Sequence, residues 1–345
     1  MRSPQQFCFT HPSGEDIYLF TLSNAKGTTV SITNFGAIIS SFIIKKEDGT
    51  TNDIVLGFDK IEQYMSDDYL AGYPWFGAVI GRCSNRIKNG AFEIDGTNYQ
   101  VTKNKGNDQL HGGETGFDKK VWKLVGQGTS PNEWLELGYS SPDGEEGFPG
   151  NLEVTLRFEL TGNNELHFDY KATTDKPTVV NLTHHDYFNL NNGAGTITDH
   201  EIKINGSLVL DQDENLVANG KLLPVAGTAY DLSDFTRISD GLKRIDEYDK
   251  SFVVDKNDNN LVAEVRSSRS GLLLEVYTDQ PIVHFYSGKW IPVVKGSHGN
   301  DYGPFSGFCL ETHIHPNAVN IPSFPSVILR PGATYKQRTT IKISY

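Results

Sequence analysis

The sequence predicts an all-β protein, a large antiparallel β-sandwich or barrel with few short helices. Three observations predict the class. Short runs alternate apolar and polar residues, turn-forming residues separate those runs, and no regular strand–helix alternation of a doubly wound fold is present.

Taken in chain order, strand-like runs at 17–22, 28–34 and 38–45 come first, with Asp48-Gly49 closing the last of them. Asp-Gly suits a tight hairpin turn because both residues tolerate positive φ. Residues 59–65 read as a few helical turns. A run at 92–103 contains a second such turn, Asp95-Gly96. Leu152, Val154, Leu156, Phe158 and Leu160 fall on one face of a strand, and Leu166, Phe168 and Tyr170 repeat the pattern after the loop Gly162-Asn163-Asn164. A period of two with one apolar face marks a sheet buried on one side. Further runs lie at 178–184, 200–210 and 261–267, with 238–247 read as a short helix. Leu272, Leu274 and Val276 alternate again, followed by runs at 281–287, 307–314 and 337–344. These signals continue without a compositional break or linker, so the expectation is one domain over 1–345.

Charge and composition limit the function. The chain has 345 residues with 31 Lys plus Arg against 43 Asp plus Glu, a formal net charge of -12. Such a surface repels polyanions, and no basic run offsets it. No stretch of apolar residues is long enough for a membrane span, and the first residues lack the apolar core of a signal peptide. Cys8, Cys83 and Cys309 are odd in number and far apart, which fits a reducing compartment. The expectation is a cytoplasmic protein, with the sequons at Asn181 and Asn205 as chance matches. No phosphate-binding loop, Cys-x-x-Cys or Gly-x-Ser-x-Gly element occurs.

Four clusters carry chemistry. In GFCLETHIHP, alternation places Phe308, Leu310, Thr312 and Ile314 on one face and Cys309, Glu311, His313 and His315 on the other. A carboxylate and two imidazoles on one face suit a metal, an acid/base site or a solvated polar surface. In NLTHHDYFNL, the adjacent His184 and His185 face opposite ways, so one of them at most enters a given site. GRCSNRIKNG holds Arg82, Asn85 and Arg86, and an Arg fork can grip hydroxyls or sit in a salt bridge. LHGGETGFDK sets His111 before Gly112-Gly113, which permits close ligand approach or simply a glycine turn.

Together the clusters resemble the aldose 1-epimerase family, the galactose mutarotases. The likeness runs from NFGA at 34–37 to LRPG at 329–332. Its pieces keep the family's order: FGAVIGRCSNRI, LHGGETGFDK, NLTHHDYFNL, YDKSF, EVYTDQP and SGFCLETHIHPNAVN. The resemblance implies a β-sandwich of the galactose mutarotase-like supersandwich form with a sugar cleft, and a free monosaccharide such as galactose or glucose as partner. Because anomer interconversion moves no electrons, no cofactor is expected. No metal is expected because an acid and a base suffice, and the expected state is a monomer or weak homodimer. The resemblance makes Glu311 the catalytic base and His185 the acid. It places Arg86, His111, Asn85, Asp249 and Gln280 on the sugar. His184, Lys250 and His313 depart from the family's usual asparagine, histidine and glutamine, which bears on substrate preference. Trp75 or Phe285 could pack on the sugar's apolar side.

The implied reaction opens the ring, turns C1 and closes it again, so one group must take a proton while another gives one. Reference values near 4.3 for Glu and 6.5 for His let Glu⁻ and His⁺ coexist between them. Extending that window to neutral pH calls for a His185 raised by nearby carboxylates. Three rivals follow from other features. A non-catalytic sugar-binding protein would lack the base or the acid. A hexose 6-phosphate epimerase would use extra cations, with Lys250 the candidate. A glycoside hydrolase would want two carboxylates.

Overall fold

The structure, a computed structural model, describes residues 5–255 and 258–345. A nine-stranded antiparallel sheet forms its backbone, and the strand Tyr335–Ser344 lies at its centre, between Glu165–Thr174 and Leu273–Thr278. Two five-stranded sheets accompany it. One is a meander over Gln5–Asp53, in sequence order. The other, the cavity sheet, runs in the order Ala218–Pro224, Leu208–Gln212, Asp249–Val253, Ile282–Tyr286, Cys309–His313.

The alternation expected from the sequence is carried out by the packing. Leu152, Val154, Leu156, Phe158 and Leu160 are all buried, and their strand pairs with Glu165–Thr174 without a register shift. The largest core cluster combines these residues with Phe20, Ile32 and Phe42 of the meander and with Phe252, Phe285 and Leu310 of the cavity sheet. One face of the nine-stranded sheet therefore meets both smaller sheets, which is the sandwich. Each large apolar side chain so buried contributes roughly 1.5–3 kcal/mol.

Differences from the sequence reading are local. The run at 92–103 is a hairpin, Ala91–Ile94 with Thr97–Gln100, turning at Asp95-Gly96 where both φ values are positive. The run at 200–210 breaks into Glu201–Ile204 and Leu208–Gln212. Helices are short as expected: Ile61–Met65 with Asp67–Gly72, and Ile238–Leu242, which stops before 247. The nine-residue strand Glu133–Ser141 and the strand Asp249–Val253 were not anticipated, because EWLELGYSS mixes its polarity and YDKSF is too short to alternate visibly. Among the described residues no helix is long and apolar enough to cross a membrane.

Candidate active site

The cavity sheet supplies the floor of a cleft of about 460 Å³. In the strand Cys309–His313, Leu310 points into the core while Glu311 lines the cleft. Its neighbour Ile282–Tyr286 pairs His284 opposite Glu311, and Asp249–Val253 pairs Asp249 opposite Tyr286. Glu311, His284, Tyr286 and Asp249 consequently share one face. His185 reaches the same cleft from the segment after Thr183–His184, its N–H donating to the Ala78 carbonyl and its own carbonyl accepting from Gly77.

A two-residue ladder brings in the rest. Arg86 pairs with Leu110, the His111 N–H donates to the Asn85 carbonyl, and the Asn85 N–H donates to His111 Nδ1 at 3.3 Å. Asn85, His111 and Trp75 all have positive φ, unusual for residues other than glycine and a form of strain that collects at working sites. The Trp75 ring lies against those of His111 and His185, with centroids 4.8 and 6.0 Å away. Gly112 does not face the cleft. A Cβ there would meet the Gly81 carbonyl oxygen at 1.9 Å, so this glycine serves backbone packing.

His185 Nε2 lies 3.6 Å from Glu311 Oε1, and both side chains are almost wholly buried. Glu311 Oε2 and Arg86 Nε are buried with no hydrogen-bond partner among the described residues. Burial and the cationic neighbours His185 and Arg86 hold His111 well below the usual imidazole range. It is therefore neutral, and since its Nδ1 accepts from Asn85, its Nε2 carries the hydrogen and donates. Burial also lowers His185, and Glu311 only partly offsets this. That corrects the expected rise: removing water from the ring outweighs the carboxylate beside it. Burial pushes Asp249 up, but the His284 ring at 2.9 Å, with Arg86 and Lys250, more than offsets it and leaves the carboxyl below its usual value.

Asn85, Arg86, His111, His185, Asp249 and Glu311 all line the cleft. Gln280 does not. It precedes the strand, its side-chain amide donates to Asp279 Oδ1 at 2.7 Å, and its backbone N–H is tied to Thr278. The polar group that this strand presents is instead His284, held between Asp249 and the Ser251 hydroxyl at 2.8 Å. Alternation in IVHFY would put His284 and Tyr286 on one face, but only the pairing with Glu311 tells which face that is. Phe285 therefore belongs to the core, whereas Trp75 lines the cleft. Tyr73, Tyr187 and Trp290 also line it, and no sequence pattern singled them out.

Other candidates have structural employment. Arg82 is buried and donates to the carbonyls of Ser141, Pro142 and Pro149. Lys250 donates to Gln212 at 2.7 Å and is absent from the cleft lining. His313 and His315 are likewise absent, and burial lowers them to about 3 and about 4. The set that does come together is His111, His185 and Glu311, with one ligand atom from each within 4.8 Å of the others. Its geometry could admit an ion, but the hydrogen that Asn85 forces onto His111 Nε2 makes that nitrogen a donor to an oxygen rather than a metal ligand.

The chain is similar to known proteins over most of its length. The family model described as aldose 1-epimerase matches residues 18–342. Human galactose mutarotase is 41% identical over 322 residues, covering 91% of each chain. The aldose 1-epimerase of Escherichia coli K12 is 35% identical over 338 residues, covering 95% of each. Among solved structures, an aldose epimerase homologue from C. elegans superposes with a TM-score of 0.87 at 28% identity, over 95% of this chain and 98% of that one.

Proposed function

The chain belongs to the aldose 1-epimerase family, and from that premise we propose that it interconverts the α and β anomers of free aldohexoses with Glu311 as base and His185 as acid. It is an enzyme of the isomerase class. The observation that carries the residue assignment is the pairing of a buried carboxylate and a buried imidazole, 3.6 Å apart, on the floor of a cleft lined by unpartnered donors and acceptors.

The steps follow from proton bookkeeping alone. Glu311 takes the proton of the C1 hydroxyl while the protonated His185 gives one to the ring oxygen, and the C1–O5 bond breaks to leave the aldehyde. The C1–C2 bond turns. Closure on the opposite face returns each proton by the reverse route. No electrons leave the sugar. Burial lowers His185, so fewer rings carry the proton at neutral pH, but each that does is a stronger acid than free imidazolium, which suits a weakly basic ether oxygen. Arg86 Nε and His111 Nε2–H supply donors to sugar hydroxyls, and the Asp249 carboxylate supplies an acceptor. They hold the distal carbons while C1 rotates, an orientation role. Trp75 presents an apolar face to the ring.

Lys250, the cation on which the hexose 6-phosphate reading rested, is engaged by Gln212 away from the cleft. Polarimetry on fresh α-D-galactose, α-D-glucose and glucose 6-phosphate tests the proposal. Faster equilibration of the two free sugars is expected. Acceleration confined to glucose 6-phosphate would overturn it.

A further inference from the structure

The strand Cys309–His313 sets two of its side chains against the ring of His185, one at each nitrogen. Alternation puts residues 309 and 311 on one face, roughly 7 Å apart along the strand, with Leu310 between them in the core. His185 Nε2 lies 3.6 Å from Glu311 Oε1, and Nδ1 lies 3.5 Å from Cys309 Sγ. The first distance is too long for a hydrogen bond from nitrogen to oxygen. The second is within reach for sulfur, whose radius is larger. Among the described residues, the ring of His185 is therefore held by a side chain at Nδ1 alone, and Nε2 is left for the cleft. The adjacent His184 packs against Phe158 and Phe168 and lines no part of the cleft.

The proposed reaction adds a condition. His185 gives a hydrogen from Nε2 to the ring oxygen and takes one back at the same atom on closure. The hydrogen on Nδ1 must stay in place throughout, and it needs an acceptor. Cys309 Sγ stands there. The backbone carbonyl of His185 also favours the proton-bearing ring. Covalent geometry lets that carbonyl reach only Nδ1, the nitrogen nearer the main chain, and a carbonyl can only accept. Burial and the charge of Glu311 push the Cys309 thiol well above its usual range, so the sulfur keeps its own hydrogen. A thiol is a weak acceptor, and its weak S–H stays unpaired at little cost. A carboxylate in its place would raise His185 strongly. Sulfur fixes the ring while leaving burial free to lower it.

We propose that Cys309 is the positioning residue of His185: its sulfur accepts the Nδ1 hydrogen and turns Nε2 toward the ring oxygen of the sugar. One strand then carries both the base, Glu311, and the support of the acid, two residues apart, so the two proton-transfer atoms keep their spacing as C1 turns. The main chain of His185 is held by Ala78 and Gly77, and the rings of Trp75 and Tyr187 pack along the imidazole with centroids 6.0 and 5.0 Å away. The other titratable groups around the ring are Glu311, Asp186, His284, His111 and Tyr187, and none of them holds Nδ1. The effect on rate rests on His185 being the acid, whereas the place of the ring hydrogen is read by itself.

Nitrogen NMR on histidine-labelled protein tests it, with the His185 signals identified by their loss in His185→Asn. At about pH 8, above the usual imidazole value of ~6.5, the His185 ring is neutral, and in the unaltered protein its hydrogen should sit on Nδ1. A hydrogen on Nε2 overturns the proposal. In Cys309→Ala, which removes the acceptor, the hydrogen should shift toward Nε2. kcat should fall about 10- to 100-fold while KM changes less than about twofold, the split expected when geometry at the reacting centre is lost. A merely structural thiol would lower stability and leave the hydrogen where it was. An unmoved hydrogen in Cys309→Ala, or an unchanged kcat, therefore overturns the proposal. Cys309→Ser keeps an acceptor of similar size and should retain both the Nδ1 hydrogen and most of the rate. If Cys309→Ala does not fold, the unaltered protein and Cys309→Ser still decide, since a hydrogen on Nε2 in either overturns the proposal. An active His185→Asn variant would instead sink the acid assignment and leave the measured place of the ring hydrogen untouched.

Discussion

The nine-stranded sheet and the cavity sheet use the same backbone geometry to opposite ends. In the first, Leu152–Leu160 pairs with its neighbours along its whole length, and outward charges find partners, as Arg338 does with Asp169 and Lys342 with Glu275. In the second, three strands of five residues turn carboxylates and imidazoles inward, and Glu311 Oε2 remains unpartnered. A buried polar atom without a partner costs about 1–3 kcal/mol. Both sheets feed the same core, while the cleft face of the small one keeps unmade hydrogen bonds available for a ligand. Altering the core should unfold the protein, and altering the cleft face should stop it working.

The largest effect should come from the floor of the cleft. Glu311→Gln keeps shape and hydrogen bonding but cannot take a proton, so kcat should fall about 10²- to 10⁴-fold with a smaller change in KM. His185→Asn should act similarly, and the double variant should lose less than the product of the two, since both transfers belong to one step. Steady-state mutarotation assays decide this, and a Glu311→Gln enzyme at full rate breaks the contrast between the sheets. On the other side, Leu156→Ala should cost about 2–5 kcal/mol of stability through the lost contacts and the cavity left behind. Denaturant unfolding reads that loss, and kcat of the folded fraction should stay the same.

A smaller effect separates the residues around the sugar. Arg86→Ala and His284→Ala should raise KM, because each removes or releases a group facing the cleft. Gln280→Ala should leave KM in place. A KM that rises for Gln280→Ala and stays fixed for His284→Ala would return the binding role to Gln280. Next, an NMR titration of His185 in the free protein should give a midpoint below the ordinary ~6.5, since burial lowers it, and Glu311→Gln should move it lower still by removing the anion that partly offsets burial. A midpoint above the ordinary value would mean that carboxylates outweigh burial. The smallest expected effect is none: prolonged chelation should leave the mutarotation rate unchanged, because His111 is set as a donor by Asn85. Lost activity restored by zinc would contradict that.

The two sheets also differ in how much of them could be read in advance. Leu152, Val154, Leu156, Phe158 and Leu160 announce a half-buried strand because burial on one face imposes a period of two over nine residues. Asp249–Val253 is too short for any period to show, and its Asp249 was found through the YDKSF resemblance alone. The opposite facing of His184 and His185 was legible, since alternation needs only the chain itself.

The sequence by itself determined the all-β class, the face on which Glu311 stands, the separation of His184 from His185, and the motifs that carry Arg86, His111 and Asp249. These depend on local periodicity or on short contiguous patterns, both of which are written along the chain. Only the tertiary structure decided that His284 and not Gln280 faces the cleft, that Phe285 fills the core, that Lys250 is engaged elsewhere, and that His185 is lowered by burial. Each of these depends on which strand lies beside which and on how much water is excluded, and those are properties of residues distant in sequence brought together by pairing.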